Sequence, residues 1–98
     1  MALSSAQKRY LRGLAHALNP VVMVAGRGLA PSVLKEVEIA LLSHELIKVR
    51  ISAEDREAKQ ALIAELVSAS GAELVQTIGH IVCLYRRHPE SPKLMLPR

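Results

Sequence analysis

The 98-residue sequence has one cysteine, two tyrosines, and no phenylalanine or tryptophan. A single cysteine cannot close an internal disulfide, which points to an intracellular chain without a stapled scaffold. No segment approaches the ~20 consecutive apolar residues of a membrane-spanning helix. The opening MALSSAQKRYLRGLAH contains no apolar core of a secretory signal. Nor is the chain depleted of apolar residues, as disordered chains are: half are hydrophobic and 22% are charged. No repeat, internal boundary or low-complexity stretch interrupts it. These absences predict one small cytoplasmic domain over residues 1–98, with no membrane association.

Acidic residues are also missing from a long stretch. From Met1 to Lys35 there are five bases (Lys8, Arg9, Arg12, Arg27 and Lys35) and no Asp or Glu. The segment from Glu36 to Val75 holds eight acids and four bases, and Gln76 to Arg98 holds four bases and one acid. The net +4 therefore hides basic ends flanking an acidic middle. If the ends meet in the fold they form a positive face that attracts a polyanion, although ordinary solubilising charge produces the same count.

Ser4 and Gln7 have the spacing of a capping box, which predicts a helix from there to about Leu18, before Asn19-Pro20. Tyr10, Leu11, Leu14 and Leu18 fall on one of its faces, and Lys8, Arg9, Arg12 and His16 on the other. The apolar run Pro20–Val24 predicts a strand buried on both sides. Pro31 suits the first position of a second helix, which runs to about His44. ELIKVRI, from Glu45 to Ile51, alternates as a strand with Ile47, Val49 and Ile51 on one face and Leu46, Lys48 and Arg50 on the other. A third helix spans about Glu54 to Ala69, with Gly71 as its terminator. Strands at Leu74–Ile78 and Ile81–Arg86 are joined by Gly79-His80, a pair suited to a type II′ hairpin. The chain beyond His88, with Pro89, Pro92 and Pro97, predicts an irregular basic tail. The order α-β-α-β-α-β-β implies a two-layer α/β sandwich with a mixed four-stranded sheet. Its strand–helix–strand units predict parallel neighbours, and the last hairpin adds an antiparallel strand.

The turn Ala25-Gly26-Arg27-Gly28 joins the first strand to the second helix. Its glycines permit close approach of a ligand to the backbone, and Arg27 adds a charge beside a helix N-terminus. Such a turn suits a phosphodiester, but it lacks the Gly-Lys-Ser/Thr ending of a nucleotide-binding P-loop and the third glycine of a dinucleotide site. His16, His44, His80, His88 and Cys83 do not form a nucleophile or metal set. His80 and Cys83 point to opposite faces of a strand, and Glu54-Asp55 is explained by a helix first turn. The expectation is a non-enzyme without metal, cofactor or small-molecule substrate. Without aromatic stacking residues, contacts with a nucleic acid should fall on phosphate and sugar.

The segments LSSAQKRYLRGLAHALNPVVMVAGRGLAPSVLKEVEIAL, HELIKVRI and TIGHIVCLYRR together resemble the CRM domain, whose name stands for chloroplast RNA splicing and ribosome maturation. The stand-alone bacterial form of that domain is the YhbY type. The resemblance covers nearly the whole chain and implies a fold similar to the C-terminal domain of translation initiation factor three. It further implies a non-catalytic RNA-binding protein that associates with ribosomal RNA in precursors of the large subunit and assists its assembly. The family's Gly-x-x-Gly loop falls on Ala25, Gly26, Arg27 and Gly28, with alanine in place of the first glycine. The family's positive surface maps to Lys8, Arg9 and Arg12, and Arg86 and Arg87 complete the expected phosphate-binding set. A protein adaptor that docks an acidic partner on the same face is the alternative.

Overall fold

Ser4 caps the first helix as its sequence predicts: its Oγ accepts from the Gln7 N–H at 3.1 Å, and its own N–H donates to Gln7 Oε1 at 3.0 Å. The computed structural model, which describes residues 3–25 and 28–97, gives helix α1 as Ser5–Ala15. This helix is shorter than the periodicity suggests, because Leu18 already donates to Ala15 O in a tight turn at 2.9 Å. Strand β1 (Pro20–Val24), helix α2 (Pro31–His44), strand β2 (Leu46–Ile51), helix α3 (Arg56–Ser70) and strands β3 (Glu73–Ile78) and β4 (Ile81–Tyr85) follow. Asp55 sits just outside α3 and accepts from the Ala58 N–H at 2.7 Å, so the helix starts after it rather than at Glu54. Gly71 ends α3 in the left-handed conformation, at φ 69°. Gly79 has φ 56° and His80 is not among the positive-φ residues, which excludes a type I′ turn and fits type II′.

The sheet order is β1-β2-β4-β3, with β1 parallel to β2 and the other pairs antiparallel. The final strand thus inserts between β2 and β3, where direct parallel pairing of those two was expected. Composition explains the insertion: β4 (IVCLY) buries four of its five residues and takes an interior position. The more polar β3 (ELVQTI) takes the edge.

Helices α2 and α3 lie together on one face and make the two-layer arrangement. Val37, Leu41, Leu62 and Leu66 pack there on Val22, Val24, Ile47, Val49, Ile51, Val82 and Leu84. Helix α1 covers part of the opposite face, where Leu11 and Ala15 meet Leu46, Val75, Cys83 and Tyr85. It packs over β2 and β3 rather than β1. Strand β1 is accordingly buried on one side only, with Val21 53% and Met23 67% exposed.

Glu45, fully buried between α2 and β2, is the least expected feature. It caps α2 at φ 63°, a conformation normally left to glycine. Its N–H donates to Leu41 O at 2.8 Å and its carbonyl accepts from Arg86 N at 2.9 Å. Its carboxylate accepts from the backbone N–H groups of His88 (2.8 Å), Lys93 (2.7 Å) and Leu94 (2.7 Å). The tail is thereby drawn over the α1 side of the sheet, where Leu94 and Leu96 pack and Gln7 Nε2 donates to Pro97 O at 3.0 Å.

Burial alone pushes the Glu45 pKa up, but the N–H donors of His88, Leu94 and Lys93 outweigh it and hold the carboxyl below its usual value. A carboxyl with a depressed folded-state pKa stabilises the fold above its unfolded value of ~4.3, and this contribution is lost as pH falls through the folded value. The melting temperature, followed by circular dichroism, should therefore fall on acidification below about pH 5, with a shallower fall in Glu45→Gln. Glu45→Ala, which orphans three donors, should lose about 3–5 kcal/mol in urea unfolding at neutral pH.

Candidate nucleic-acid interface

Because α1 covers only part of its sheet face, one row of residues crosses all four strands uncovered. Register places Met23 beside Arg50, Arg50 beside Ile81, and Ile81 beside Ile78. Met23 and Ile78 are 67% and 63% exposed, an unusual display for large aliphatic side chains. Between this row and α1 lies a cleft of about 450 Å³. Arg9, Arg12, Gly13 and His16 form its helical wall. Lys48, Gln76, Ile78, Ile81 and Cys83 form its sheet side. Lys48 also donates to Leu18 O at 3.0 Å, tying β2 to the turn after α1.

No carboxylate lines this cleft. Among the described residues the sole ion pair is Arg86 with Glu38, so Arg9, Arg12, Lys48 and Arg50 remain without acidic partners. Unpaired cations grouped at a concave surface raise the local positive potential and attract a polyanion.

The structure brings together only some of the residues that sequence singled out. Arg9 and Arg12 line the cleft, while Lys8, half-buried on the same helix, lies outside its lining. Ala25 and Gly28 follow β1 at the sheet end that carries the uncovered row, and Gly26 and Arg27 fall outside the described residues. Gly28 has φ 99°, and nothing lies within 4 Å of where a Cβ would stand, so glycine is required there for backbone conformation rather than for space. The following helix carries no side-chain cap on Ala30 and no acid in its first turn.

Arg86 and Arg87 lie just past the far end of β4, about 16–20 Å along the chain from Ile81 at ~3.3 Å per residue. Arg86 turns to the α2–α3 face, where its guanidinium meets Glu38 in a fork at 2.6 and 2.9 Å and donates to Ser70 O at 2.9 Å. That hydrogen-bonded fork is the main reason the Glu38 pKa is lowered; burial opposes it and the Arg86 charge adds to it. Arg87 is exposed beside the tail.

Lys48 and Arg50 share the α1 side of the sheet, as the alternation of ELIKVRI implies, but only the strand order reveals that Lys48 lines the cleft while Arg50 stands in the uncovered row beside it. Gln76 and the position of His16 over the sheet are likewise new. Of the stripe that periodicity assigns to the first helix only Leu11 is buried, with Ala15 beside it, whereas Tyr10, Leu14 and Leu18 are exposed. Tyr85 is buried, and Cys83 packs in the α1 cluster, where burial pushes its thiol pKa up and the nearby Lys48 charge only partly offsets this.

No helix of the described residues is long and apolar enough to cross a membrane, and no group of three or more His, Cys, Asp or Glu among them could hold a metal ion. Compared with known proteins, residues 3–86 match the CRS1 / YhbY (CRM) domain family. A Haemophilus influenzae protein named "RNA-binding protein" is 55% identical over 98% of this chain and 96% of its own. A Bacillus subtilis protein named "Probable RNA-binding protein YqeI" is 38% identical over 97% and 99%. The solution structure of a Staphylococcus aureus hypothetical protein, described as an RNA-binding candidate, superposes with a TM-score of 0.83 at 35% identity, covering 98% of this chain and all of that one.

The bidentate pair makes Arg86 a structural residue. Arg86→Ala should lower stability by about 1–2 kcal/mol in urea unfolding, from the lost fork and the orphaned Ser70 carbonyl. Arg87→Ala should leave the transition within about 0.5 kcal/mol of wild type.

Proposed function

The chain belongs to the CRS1 / YhbY (CRM) domain family, and from that membership we propose that it is a non-catalytic, cytoplasmic RNA-binding protein. We take its ligand to be ribosomal RNA in precursors of the large (50S) subunit, whose assembly it assists. The observation that carries the RNA-binding reading is the acid-free cleft, lined by the unpaired Arg9, Arg12 and Lys48, with unpaired Arg50 in the adjoining row. The relatives' names supply the class of polyanion. Ribosomal RNA follows from the family resemblance.

In mechanism, the cations of α1, with Lys8 at their margin, and the Ala25–Gly28 turn engage phosphates. Binding releases counterions, so affinity falls steeply as salt rises. Arg87 serves as a peripheral contact, and Arg86 keeps the β4 end in place. No cofactor enters this scheme.

Sucrose-gradient sedimentation of gently lysed cells tests the proposal. The protein should travel with large-subunit precursors at low salt and return to the top of the gradient at high salt or after RNase. Association that survives RNase would instead support docking on an acidic protein. Lys8, Arg9 and Arg12 all replaced by Glu should abolish co-sedimentation while circular dichroism stays native. Neutralising the same three residues with Ala should reduce the slope of log affinity against log salt by about 2. Unchanged sedimentation of the Glu variant would refute the positive-face mechanism.

A further inference from the structure

We infer that the cleft between α1 and the uncovered end of the sheet receives one unstacked base of a single-stranded RNA, whose edge is read by Gln76. This inference rests on the RNA-binding reading and adds what the cleft selects. Phosphate binding needs only cations, yet the sheet side of the cleft is largely apolar. Ile78 and Ile81 line it, and Met23 continues the row beyond Arg50. Aliphatic side chains left open to water gain by covering a flat, weakly hydrated surface, which a base presents and a phosphate does not.

Gln76 is the one neutral amide in the lining. It is half-buried on β3, and its side chain has no hydrogen-bond partner among the described residues. An amide offers both a donor and an acceptor, the pairing that a base edge requires. Arg9, Arg12 and Lys48 surround the same space, so a base placed inside leaves its flanking phosphates beside cations. The volume, about 450 Å³, lies in the usual range for sites of small organic ligands. A base paired in a duplex cannot enter such a cleft, whereas one splayed from a loop can.

Fluorescence anisotropy with four labelled RNA homo-octamers, an octamer of abasic ribose-phosphate, and an RNA duplex of equal length tests this at low salt. The best homo-octamer should bind about tenfold more tightly than the abasic chain, which carries the same phosphates. Gln76→Ala, with an unchanged melting temperature, should erase the preference among the four bases while leaving the salt dependence intact. The base-binding inference is overturned if the abasic chain or the duplex binds within twofold of the best octamer, or if Gln76→Ala keeps the base preference. It is equally overturned if a polyglutamate peptide of the same charge displaces the RNA as well as unlabelled octamer does. Salt-sensitive binding of the abasic chain or the duplex, or a base preference kept by Gln76→Ala, leaves the RNA-binding reading standing, whereas displacement by polyglutamate counts against both. Failure of every RNA to bind would overturn both.

Discussion

A buried carboxylate without a cationic partner holds this fold together at its C-terminal side. Glu45 sits at the junction of α2 and β2 and is satisfied wholly by backbone N–H groups from the tail. Removing an ion from water is expensive, and three short charge-assisted bonds with no mobile side chain on the donor side offset that expense. The same residue accepts a strained left-handed backbone, a conformation of the sort that costs of order 1–3 kcal/mol. Strain and desolvation are tolerated together because one residue ends a helix, starts a strand and anchors a tail. The lower half of the α1-side cluster depends on that anchor, since Leu94 and Leu96 reach it only when the tail is docked.

The other half of that face is left open by the shortness of α1. An eleven-residue helix spans about 16 Å at 1.5 Å per residue, too little to shield four strands along their length. Its end, fixed by the turn after Ala15, determines where the aliphatic row emerges. Charge is divided in a corresponding way. The arginine that is neutralised by a carboxylate faces the α2–α3 layer and braces the fold. Arg9 and Arg12, which lack carboxylates, line the cleft, where their field is available to a ligand.

Local signals were legible in the sequence because their physics is local. The Ser4–Gln7 box, Pro31 at a helix start, Gly71 at a helix end and Gly79 in a hairpin each involve residues a few positions apart. The alternation in ELIKVRI correctly sorted Lys48 from Ile47 and Val49. What escaped was decided by long-range partners. Glu45 reads as an ordinary acid before a strand, and its acceptors' donors lie 43 to 49 residues later. Arg86 reads as one more cation in YRR until Glu38, 48 residues earlier, comes into view. The insertion of β4 between β2 and β3 is invisible to pattern reasoning that pairs successive strands. It is this insertion that sets Ile81 beside Arg50 and so assembles the cleft floor. Counting aromatic residues directed attention to phosphates and away from an aliphatic surface that becomes continuous only across four strands.

The dependence of Glu45 on the tail also has a consequence for proteolysis. Loss of the chain beyond Arg87 removes all three donors from the carboxylate, together with Leu94 and Leu96 from the α1-side cluster. The ion is then buried without partners, and the α2–β2 junction must open to let water reach it. A cut near the end of the last strand thus unsettles a helix–strand junction more than forty residues earlier in the chain.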